Sequence, residues 1–308
     1  MSPTLDQVVA FLNAHFEAAC TEVTHVGAGA WSQCFGFRLG EQELVIRFNP
    51  HADDFHKDQR AGAFATAALP IPQVMEIGEA FDGCYAISQR VHGVPLERVN
   101  AAQWRALVPA VATALEAMRH ADIASTTGVG GWGSDGNALD VGWREYLLMA
   151  ADDAPIKRTH GWLKLLEASP VGKATFAWGH GLMQRIASDD VPRCLAHCDW
   201  INRNVLVAGD RINGIFDWGC SIYGDPLYDL AWFEFWSPWF PEMDVSLLRA
   251  ELERRWREAG DMPANLAERL TACHLHIGLD HLGYNAFTGD NANLLATAER
   301  MRQLAPAI

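Results

Sequence analysis

Long apolar runs and a leader-like N-terminus are both missing from this sequence. No stretch approaches the roughly 18 apolar residues that a membrane-spanning helix needs. The N-terminus, MSPTLDQVVAFLNAHF, has no basic region, and Asp6 and His15 interrupt its apolar part, which predicts a short amphipathic helix rather than a signal peptide. The seven cysteines are scattered and odd in number, so a secreted disulfide framework is not expected. We therefore expect a cytoplasmic protein without a membrane span.

Basic residues are also scarce. The chain has 24 Lys and Arg against 38 Asp and Glu, which gives a formal net charge of −14. Such a charge repels the phosphates of nucleic acids and of anionic membranes, so we expect neither as a partner. The same field attracts a cationic small molecule, although acidity that serves only solubility gives the same balance.

Several common site motifs are absent as well. There is no G-x-S-x-G, and no G-x-G-x-x-G follows a predicted strand, so a hydrolase triad and a dinucleotide-binding fold have no support. Cys194, His197 and Cys198 have the spacing of metal ligands, but no second Cys/His pair lies nearby. Because structural zinc takes four ligands, we expect no zinc site there.

What the chain does contain is 308 residues, 49% of them hydrophobic, in two regions of different pattern. The first region predicts mainly strands, at residues 22–26, 34–39, 43–48 and 84–89, with an alanine-rich helix at 61–68. The second region predicts helices at residues 104–118, 143–150, 174–188, 247–258, 266–287 and 293–304. We therefore expect an α+β protein with a small β-rich N-terminal lobe, residues 1–92, and a larger helical C-terminal lobe, residues 93–308.

The stretch from 194 to 219 carries the clearest chemical signal. Residues 205–207 and 212–216 are short apolar strands that four residues connect, which predicts a β-hairpin. Pairing brings Asn204 beside Asp217, because facing antiparallel positions lie about 4.5–5.5 Å apart. One amide oxygen and one carboxylate at the same end of a hairpin make a site suited to Mg²⁺.

A second carboxylate precedes this hairpin. Asp199 lies five residues before Asn204, in a loop that His197 introduces. A carboxylate near a metal-bound phosphate can accept the proton of an attacking hydroxyl group. The pattern H-x-D-x₄-N, followed by an aspartate after a hairpin, is typical of a kinase catalytic loop and its metal-binding segment.

With these motifs the chain resembles the aminoglycoside phosphotransferases, which share the protein-kinase-like bilobal fold, and among them the hygromycin B phosphotransferases. The matching segments come in the family's order and span roughly residues 20 to 290. They are LVIRFN at 44–49, ALPIP at 68–72, IGE at 77–79, GIFDW at 214–218, GD at 224–225, FWSPW at 235–239 and IGLD at 277–280. The resemblance implies Asp199 as the catalytic base, His197 as the histidine that orders the loop, Asn204 and Asp217 as Mg²⁺ ligands, and Asp225 and Asp229 as structural acids.

The resemblance also implies an ATP site in the N-terminal lobe. The segment GAGAWS at 27–32 is similar to a shortened phosphate-covering loop, for which a plain turn is the alternative. Arg47 stands on the third strand where protein kinases have lysine, and its guanidinium can hold two phosphates. Asp58 is its candidate partner; the alternative is a solvated acid beside Lys57 and Arg60. The expected nucleotide contacts are Gly29, Ser32, Arg47, Asp58, Ser88, Gln89 and Arg90.

The implied acceptor is an aminoglycoside antibiotic whose phosphorylation confers resistance. Its ammonium groups are attracted by a cleft lined with carboxylates. Glu234 interrupts the run WFEFW, so its carboxylate needs a partner, either the substrate or a nearby arginine. The expected acceptor contacts are Glu234, Trp236, Trp239 and Asp280, with Asp244 as a further candidate.

Two alternatives stay open at this point. A metabolic kinase of the same fold would act on a sugar, a choline-like amine or an amino alcohol, because the acceptor pocket is not fixed by the fold. A nucleotide-binding pseudoenzyme is the other, against which the intact Asp199, Asn204 and Asp217 argue. The sequence does not decide between ATP and GTP or name the acceptor hydroxyl. We expect a Mg²⁺-dependent monomer.

Overall fold

The computed structural model describes residues 3–29 and 32–305, which form an α+β architecture. The strands are β1 (Thr21–Ala28), β2 (Gln33–Leu39), β3 (Gln42–Asn49), β4 (Val74–Ala80), β5 (Gly83–Gln89), β6 (Val94–Pro95), β7 (Gly130–Gly131), β8 (Cys194–Ala196), β9 (Val205–Ala208), β10 (Arg211–Ile215) and β11 (Ile222–Gly224). The helices are α1 (Leu5–His15), α2 (Ala52–Ala61), α3 (Ala101–Arg119), α4 (Trp143–Leu148), α5 (Trp162–Leu166), α6 (Pro170–Ile186), α7 (Tyr228–Trp236), α8 (Val245–Ala259), α9 (Leu266–Thr288) and α10 (Asn291–Leu304).

The N-terminal sheet decides which way Arg47 points. Strands β1 to β5 form one antiparallel sheet in the order β1-β2-β3-β5-β4. Ile46 and Phe48 of β3 belong to the buried cluster that α1 covers. Because successive side chains of a strand alternate between the two faces, Arg47 lies on the opposite face. Phe55 of α2 packs on that side of the sheet, so Arg47 and α2 share one face.

The helix in this region is not where the alanine content placed it. The prediction of a helix at 61–68 is wrong: α2 ends at Ala61, and only a 3₁₀ turn, Gly62–Phe64, follows. Helix propensity is a weak determinant that burial overrides, and α2 buries Phe55, Lys57, Asp58 and Ala61. Strand β4 and helix α7 were not predicted at all.

The second sheet contains the predicted hairpin. Strands β9 and β10 pair antiparallel, and β6 adds to the other side of β9. Ala208 pairs with Arg211, so the connection is a two-residue turn rather than the predicted four-residue one. Gly209 opens that turn with a φ of 63°, a conformation that favours glycine.

The two parts of the chain meet just after β5. A Cβ atom on Gly93 would lie 2.8 Å from the carbonyl oxygen of Val207, so only glycine lets the linker pass this close to β9. The chain leaves the first sheet at Gln89 and joins the second at Val94, which supports a boundary near residues 92 and 93; the division into lobes stays a prediction. In the described residues we find no helix that could cross a membrane.

Candidate active site

The loop between β8 and β9 is fixed at its entry by a buried carboxylate. The backbone N–H groups of His197 and Cys198 donate to the two carboxylate oxygens of Asp229, at 2.9 and 2.7 Å. Burial raises the pKa of Asp229 to about 6, although these two hydrogen bonds oppose the rise. Positive φ angles at Cys198, Asn202 and Arg203 then fold the loop tightly. The loop is therefore held by backbone contacts that do not depend on a ligand.

His197 ties this loop to the end of β10. Its Nε2 lies 2.8 Å from the carbonyl oxygen of Phe216, and its Nδ1 accepts the backbone N–H of Asp199 at 3.2 Å. The Nε2 atom therefore carries the proton in the neutral ring. Burial lowers the pKa of His197 to about 4, so the ring is neutral at pH 7. These two contacts bring the backbone of Asp199 to the end of β10, where Asp217 follows Phe216.

Asp199 is held by two asparagine side chains. Its Oδ1 accepts from Asn202 Nδ2 at 2.6 Å, and its Oδ2 accepts from Asn204 Nδ2 at 2.8 Å. Burial, and then the charge of Asp217, raise the pKa of Asp199 to about 7, against the effect of both hydrogen bonds. A carboxylate whose pKa lies near the working pH is well suited to accept a proton in a reaction.

Asn204 and Asp217 come together as strand pairing predicts. The backbone N–H of Phe216 donates to the carbonyl oxygen of Asn204 at 2.8 Å, which extends the hairpin to its open end. Asp217 follows with a φ of 57°. Water reaches its side chain, yet protein surrounds it on most sides, and this burial together with the charge of Asp58 raises its pKa to about 6, against the effect of Arg47.

These two side chains fit the needs of Mg²⁺. The amide nitrogen of Asn204 is taken by Asp199, so its Oδ1 is the atom left to face a cation. Mg²⁺ is usually held by one or two protein oxygens together with phosphates and water. Among residues 3–29 and 32–305 no group of three or more His, Cys, Asp and Glu side chains forms a metal site.

Arg47 and Asp58 form a buried ion pair that reaches the segment after β10. The side chains keep 16% and 7% of their surface exposed, so the alternative of a solvated acid at Asp58 is wrong. Asp58 Oδ1 also accepts the backbone N–H of Trp218 at 2.7 Å. Burial alone would lower the pKa of Arg47, but the charges of Asp58, Cys34 and Asp217 raise it, so Arg47 stays charged.

A small cavity lies between the first sheet and the hairpin of β9 and β10, with Arg47 and Ser88 on one wall. Its lining residues are Arg47, Asp58, Ile71, Pro72, Val74, Ser88, Ile215, Phe216 and Trp218. The side chain of Gln89 is exposed, and the backbone N–H of Arg90 donates to the carbonyl oxygen of Glu43 at 3.0 Å. The lining combines apolar side chains with one arginine, one carboxylate and one hydroxyl group, a mixture that is typical of small-molecule sites.

Gly29 follows β1 and Ser32 precedes β2. The backbone N–H of Gly29 donates to the carbonyl oxygen of Ser32 at 2.9 Å. Ala30 and Trp31, which belong to the predicted phosphate-covering loop, lie outside the described residues. The roles of Gly29 and Ser32 stay predictions.

The four predicted acceptor residues have different surroundings. Glu234 Oε1 accepts from Arg249 Nη1 at 3.0 Å, and its Oε2 lies 2.9 Å from His274 Nε2 without hydrogen-bond alignment. Trp236 packs edge-on against Trp239, with ring centroids 5.1 Å apart. The Asp280 side chain is exposed. Glu234 therefore has partners inside the protein, one of them an arginine, which was the alternative to a substrate contact. Its contact with an acceptor stays a prediction.

Lys57 and Cys220 were not predicted as site residues, whereas Asp244 was a further candidate for contact with the acceptor. Lys57 is buried and donates from Nζ to the carbonyl oxygens of Gly219 and Ser221, at 2.6 and 3.3 Å. Cys220 is exposed at the surface, yet the protein atoms around its thiol and then the charges of Asp199 and Asp217 raise its pKa. Asp244 caps α8 by accepting the backbone N–H of Ser246 at 3.1 Å. The sequence contains no sign that Lys57 is buried, because it only shows adjacent Lys and Asp residues near an alanine-rich segment.

Comparisons with known proteins point to one family. Residues 22–268 match the profile of the phosphotransferase enzyme family, APH. The chain is 32% identical over 300 residues to hygromycin-B 4-O-kinase of Escherichia coli, which covers 96% of this chain and 83% of that protein. A crystal structure of a thermostable mutant of aminoglycoside phosphotransferase APH(4)-Ia, in ternary complex with AMP-PNP and hygromycin B, matches with a TM-score of 0.82 and 31% identity over 96% of this chain and 97% of that one.

A more distant match extends the agreement in fold alone. Spectinomycin phosphotransferase APH(9)-Ia, in complex with ADP and spectinomycin, has a TM-score of 0.60 at 12% identity, over 98% of this chain and 95% of that one. Together these matches confirm the predicted α+β, protein-kinase-like fold.

Proposed function

Because the chain belongs to the APH phosphotransferase enzyme family, we propose that it transfers the γ-phosphate of ATP to a hydroxyl group of an aminoglycoside, with hygromycin B as the first candidate. The observation that carries this proposal is the convergence of Asp199, Asn204 and Asp217 at the open end of one hairpin. The APH(4)-Ia complex supports the substrate pair, because AMP-PNP and hygromycin B are bound together there. Modification of the antibiotic would confer resistance.

The nucleotide lies between the two lobes in this proposal. Ile71, Val74 and Ile215 line the cavity with apolar surface for the base. Arg47 binds the α- and β-phosphates from the same cavity, and the carboxylate of Asp58 fixes the direction of its guanidinium. Asn204 and Asp217 hold Mg²⁺, which when bound neutralises charge on the β- and γ-phosphate oxygens.

Asp199 serves as the proton acceptor. The acceptor oxygen attacks the γ-phosphorus, the bond from that phosphorus to the β–γ bridging oxygen breaks, and ADP leaves with the electron pair. The hydroxyl proton passes to Asp199, which Asn202 and Asn204 keep in position. His197 stays neutral and only orients the loop. Positioning and electrostatic stabilisation supply most of the rate in such a transfer.

The acceptor approaches from the side where the carboxylates gather. The charges of Asp199, Asp217 and Asp280 all raise the pKa of the Cys220 thiol, so the three carboxylates lie in one region of the molecule. A polycation is attracted to such a region, whereas a neutral sugar is not. Trp236 and Trp239 lie on the C-terminal lobe as candidate walls for a sugar ring.

The test is ADP release with Mg·ATP over a panel of aminoglycosides, with Asp199→Asn beside the wild type. We expect turnover on at least one aminoglycoside and a loss of about 10²–10⁴ in rate in Asp199→Asn, with nucleotide binding retained. Asp210→Asn, in the exposed turn of the same hairpin, is the matched control and should keep full activity.

The other outcomes each contradict a defined part of the proposal. Near-normal turnover of Asp199→Asn would exclude Asp199 as the base. Turnover on a sugar, a choline-like amine or an amino alcohol, with none on aminoglycosides, would indicate a metabolic kinase. ATP binding without turnover on any acceptor would indicate a pseudoenzyme.

A further inference from the structure

One carboxylate beside the catalytic loop lacks a partner. Glu97 Oε2 is shielded from water, and no hydrogen-bond donor in the described residues reaches it. A buried oxygen of a charged group that has lost water and gained no donor destabilises the folded protein. A side chain kept in this state is a candidate for a ligand contact.

The strand register brings Glu97 to the catalytic loop. Strand β6 pairs antiparallel with β9, with Val94 opposite Val207 and Pro95 opposite Leu206. The chain that continues from β6 therefore runs towards Asn204, the residue before β9. A 3₁₀ turn, Leu96–Arg98, holds Glu97 there, and its first residue is completely buried.

A second observation agrees with this placement. Asn204, the residue before β9, donates from Nδ2 to Asp199 Oδ2 at 2.8 Å, so the Asp199 carboxylate lies at the end of β9 towards which Glu97 runs. Glu97 is half-buried as a residue, and the terminal torsion of glutamate is broad, so rotation can turn either oxygen towards the cleft. Two like charges at one edge of a cleft are relieved by a cation between them.

We propose that Glu97 binds an ammonium group of the acceptor and thereby sets the hydroxyl next to that amine against Asp199. This inference rests on the proposed function, and it makes Glu97 a specificity residue rather than a part of the phosphate machinery. The preferred acceptor then has an amine close to the hydroxyl that is phosphorylated. ATP carries anionic phosphates and only hydroxyl groups on its ribose, so it offers no such cation.

The experiment compares Glu97→Gln with Glu268→Gln, an exposed position on α9 that undergoes the same change of charge. We measure KM and kcat for the best aminoglycoside acceptor and for its N-acetylated derivative, and KM for Mg·ATP. In Glu97→Gln the KM for the amine-bearing acceptor should rise about 10- to 100-fold, while the KM for Mg·ATP stays constant. The preference for the free amine over the acetylated form should shrink in Glu97→Gln and persist in Glu268→Gln.

A second measurement separates binding from folding. The melting temperature of the free Glu97→Gln protein should equal or exceed that of the wild type, because an unpaired charge has been removed, while its increase on adding the aminoglycoside should shrink. A lower melting temperature of the free variant would indicate an internal partner for Glu97 and would overturn the inference.

The kinetic outcomes are equally distinct. An unchanged acceptor KM, or a rise confined to the KM for Mg·ATP, overturns the role of Glu97 and leaves the proposed function standing. Absence of wild-type turnover on every aminoglycoside overturns the proposed function, and this inference with it.

Discussion

At the residue scale, the site concentrates negative charge that the free protein neutralises only in part. The charge of Asp217 raises the pKa of Asp199, and the charge of Asp58 raises the pKa of Asp217. Arg47 is the cation that faces both Asp58 and Asp217. An arrangement of this kind is suited to receive Mg²⁺ and a cationic acceptor, because each removes repulsion that the free protein contains.

This repulsion predicts a pH dependence of stability. The pKa of Asp199 is raised to about 7 in the folded protein, whereas an unfolded chain has an aspartate pKa of about 3.9. Between these values the folded protein binds the proton and the unfolded chain does not, so this group lowers stability progressively as the pH rises from about 4 to about 7. Asp199→Asn lacks the effect, and we expect its stability relative to the wild type to increase over that range by up to about 4 kcal/mol.

Urea unfolding of both proteins in metal-free buffer, at pH values from 4 to 8, checks this expectation. The raised pKa of Asp229 and the lowered pKa of His197 are common to both proteins and cancel in the difference. A difference in stability that is flat across the range would contradict the raised pKa.

Arg47 carries a second prediction at this scale. Lysine keeps the positive charge but not the planar group that can hold Asp58 and a phosphate at the same time. In Arg47→Lys we expect the KM for Mg·ATP to rise about tenfold, with little change in the KM for the acceptor. Arg38→Lys is the control, because Arg38 pairs with Glu43 on the neighbouring strand at 2.8 Å, away from the cavity. Equal effects of the two variants would contradict a nucleotide role for Arg47.

At the element scale, the position of α2 is the feature that the sequence did not predict. Strand periodicity places Arg47 on one face of the sheet, and hairpin pairing places Asn204 near Asp217, because both follow from local geometry. The position of α2 follows instead from Phe55, Lys57 and Asp58, whose partners lie elsewhere in the chain. A window of sequence contains no information on those partners, and alanine propensity therefore placed the start of the helix at residue 61, where α2 ends. Glu97 was missed for the same reason, since no motif marks the turn after β6.

Lys57 gives this element a prediction of its own. Its ammonium donates to two carbonyl oxygens of the segment after Asp217 and lies 4.8 Å from the centre of the Trp132 ring. Lys57→Met keeps the length of the side chain but leaves those carbonyl oxygens without their donor. We expect a loss of about 1–3 kcal/mol in the free energy of unfolding and a higher KM for Mg·ATP.

Lys164→Met, in an exposed position on α5, is the matched control for urea unfolding and for kinetics. It should change neither quantity appreciably. If Lys57→Met unfolds at the urea concentration of the wild type, the hydrogen bonds of Lys57 do not contribute to the stability of the protein.

At the scale of the whole molecule, the fold determines the type of reaction, whereas the side chains of the cleft determine which acceptor is used. The sequence predicts the lobes, the catalytic loop and the metal-binding pair, because those depend on short-range patterns that kinase-like folds share. The candidate acceptor residues were the least predictable, since they stand on separate helices: Glu234 lies on α7 and Asp280 on α9. Only the packing of these helices decides which carboxylates face the cleft and which, like Glu234, already have partners.

The net charge of −14 predicts opposite salt responses for the two substrates. A field of this sign attracts a polycationic acceptor and repels Mg·ATP, and salt weakens both effects as the Debye length falls from about 10 Å at 0.1 M to about 3 Å at 1 M. We therefore expect the KM for an aminoglycoside to rise with ionic strength, while the KM for Mg·ATP falls or stays constant. Steady-state kinetics in KCl at a fixed excess of Mg²⁺ measures both constants on one preparation. Parallel increases in the two values would mean that salt acts on the fold rather than on the cleft, and the acidic composition would then serve solubility alone.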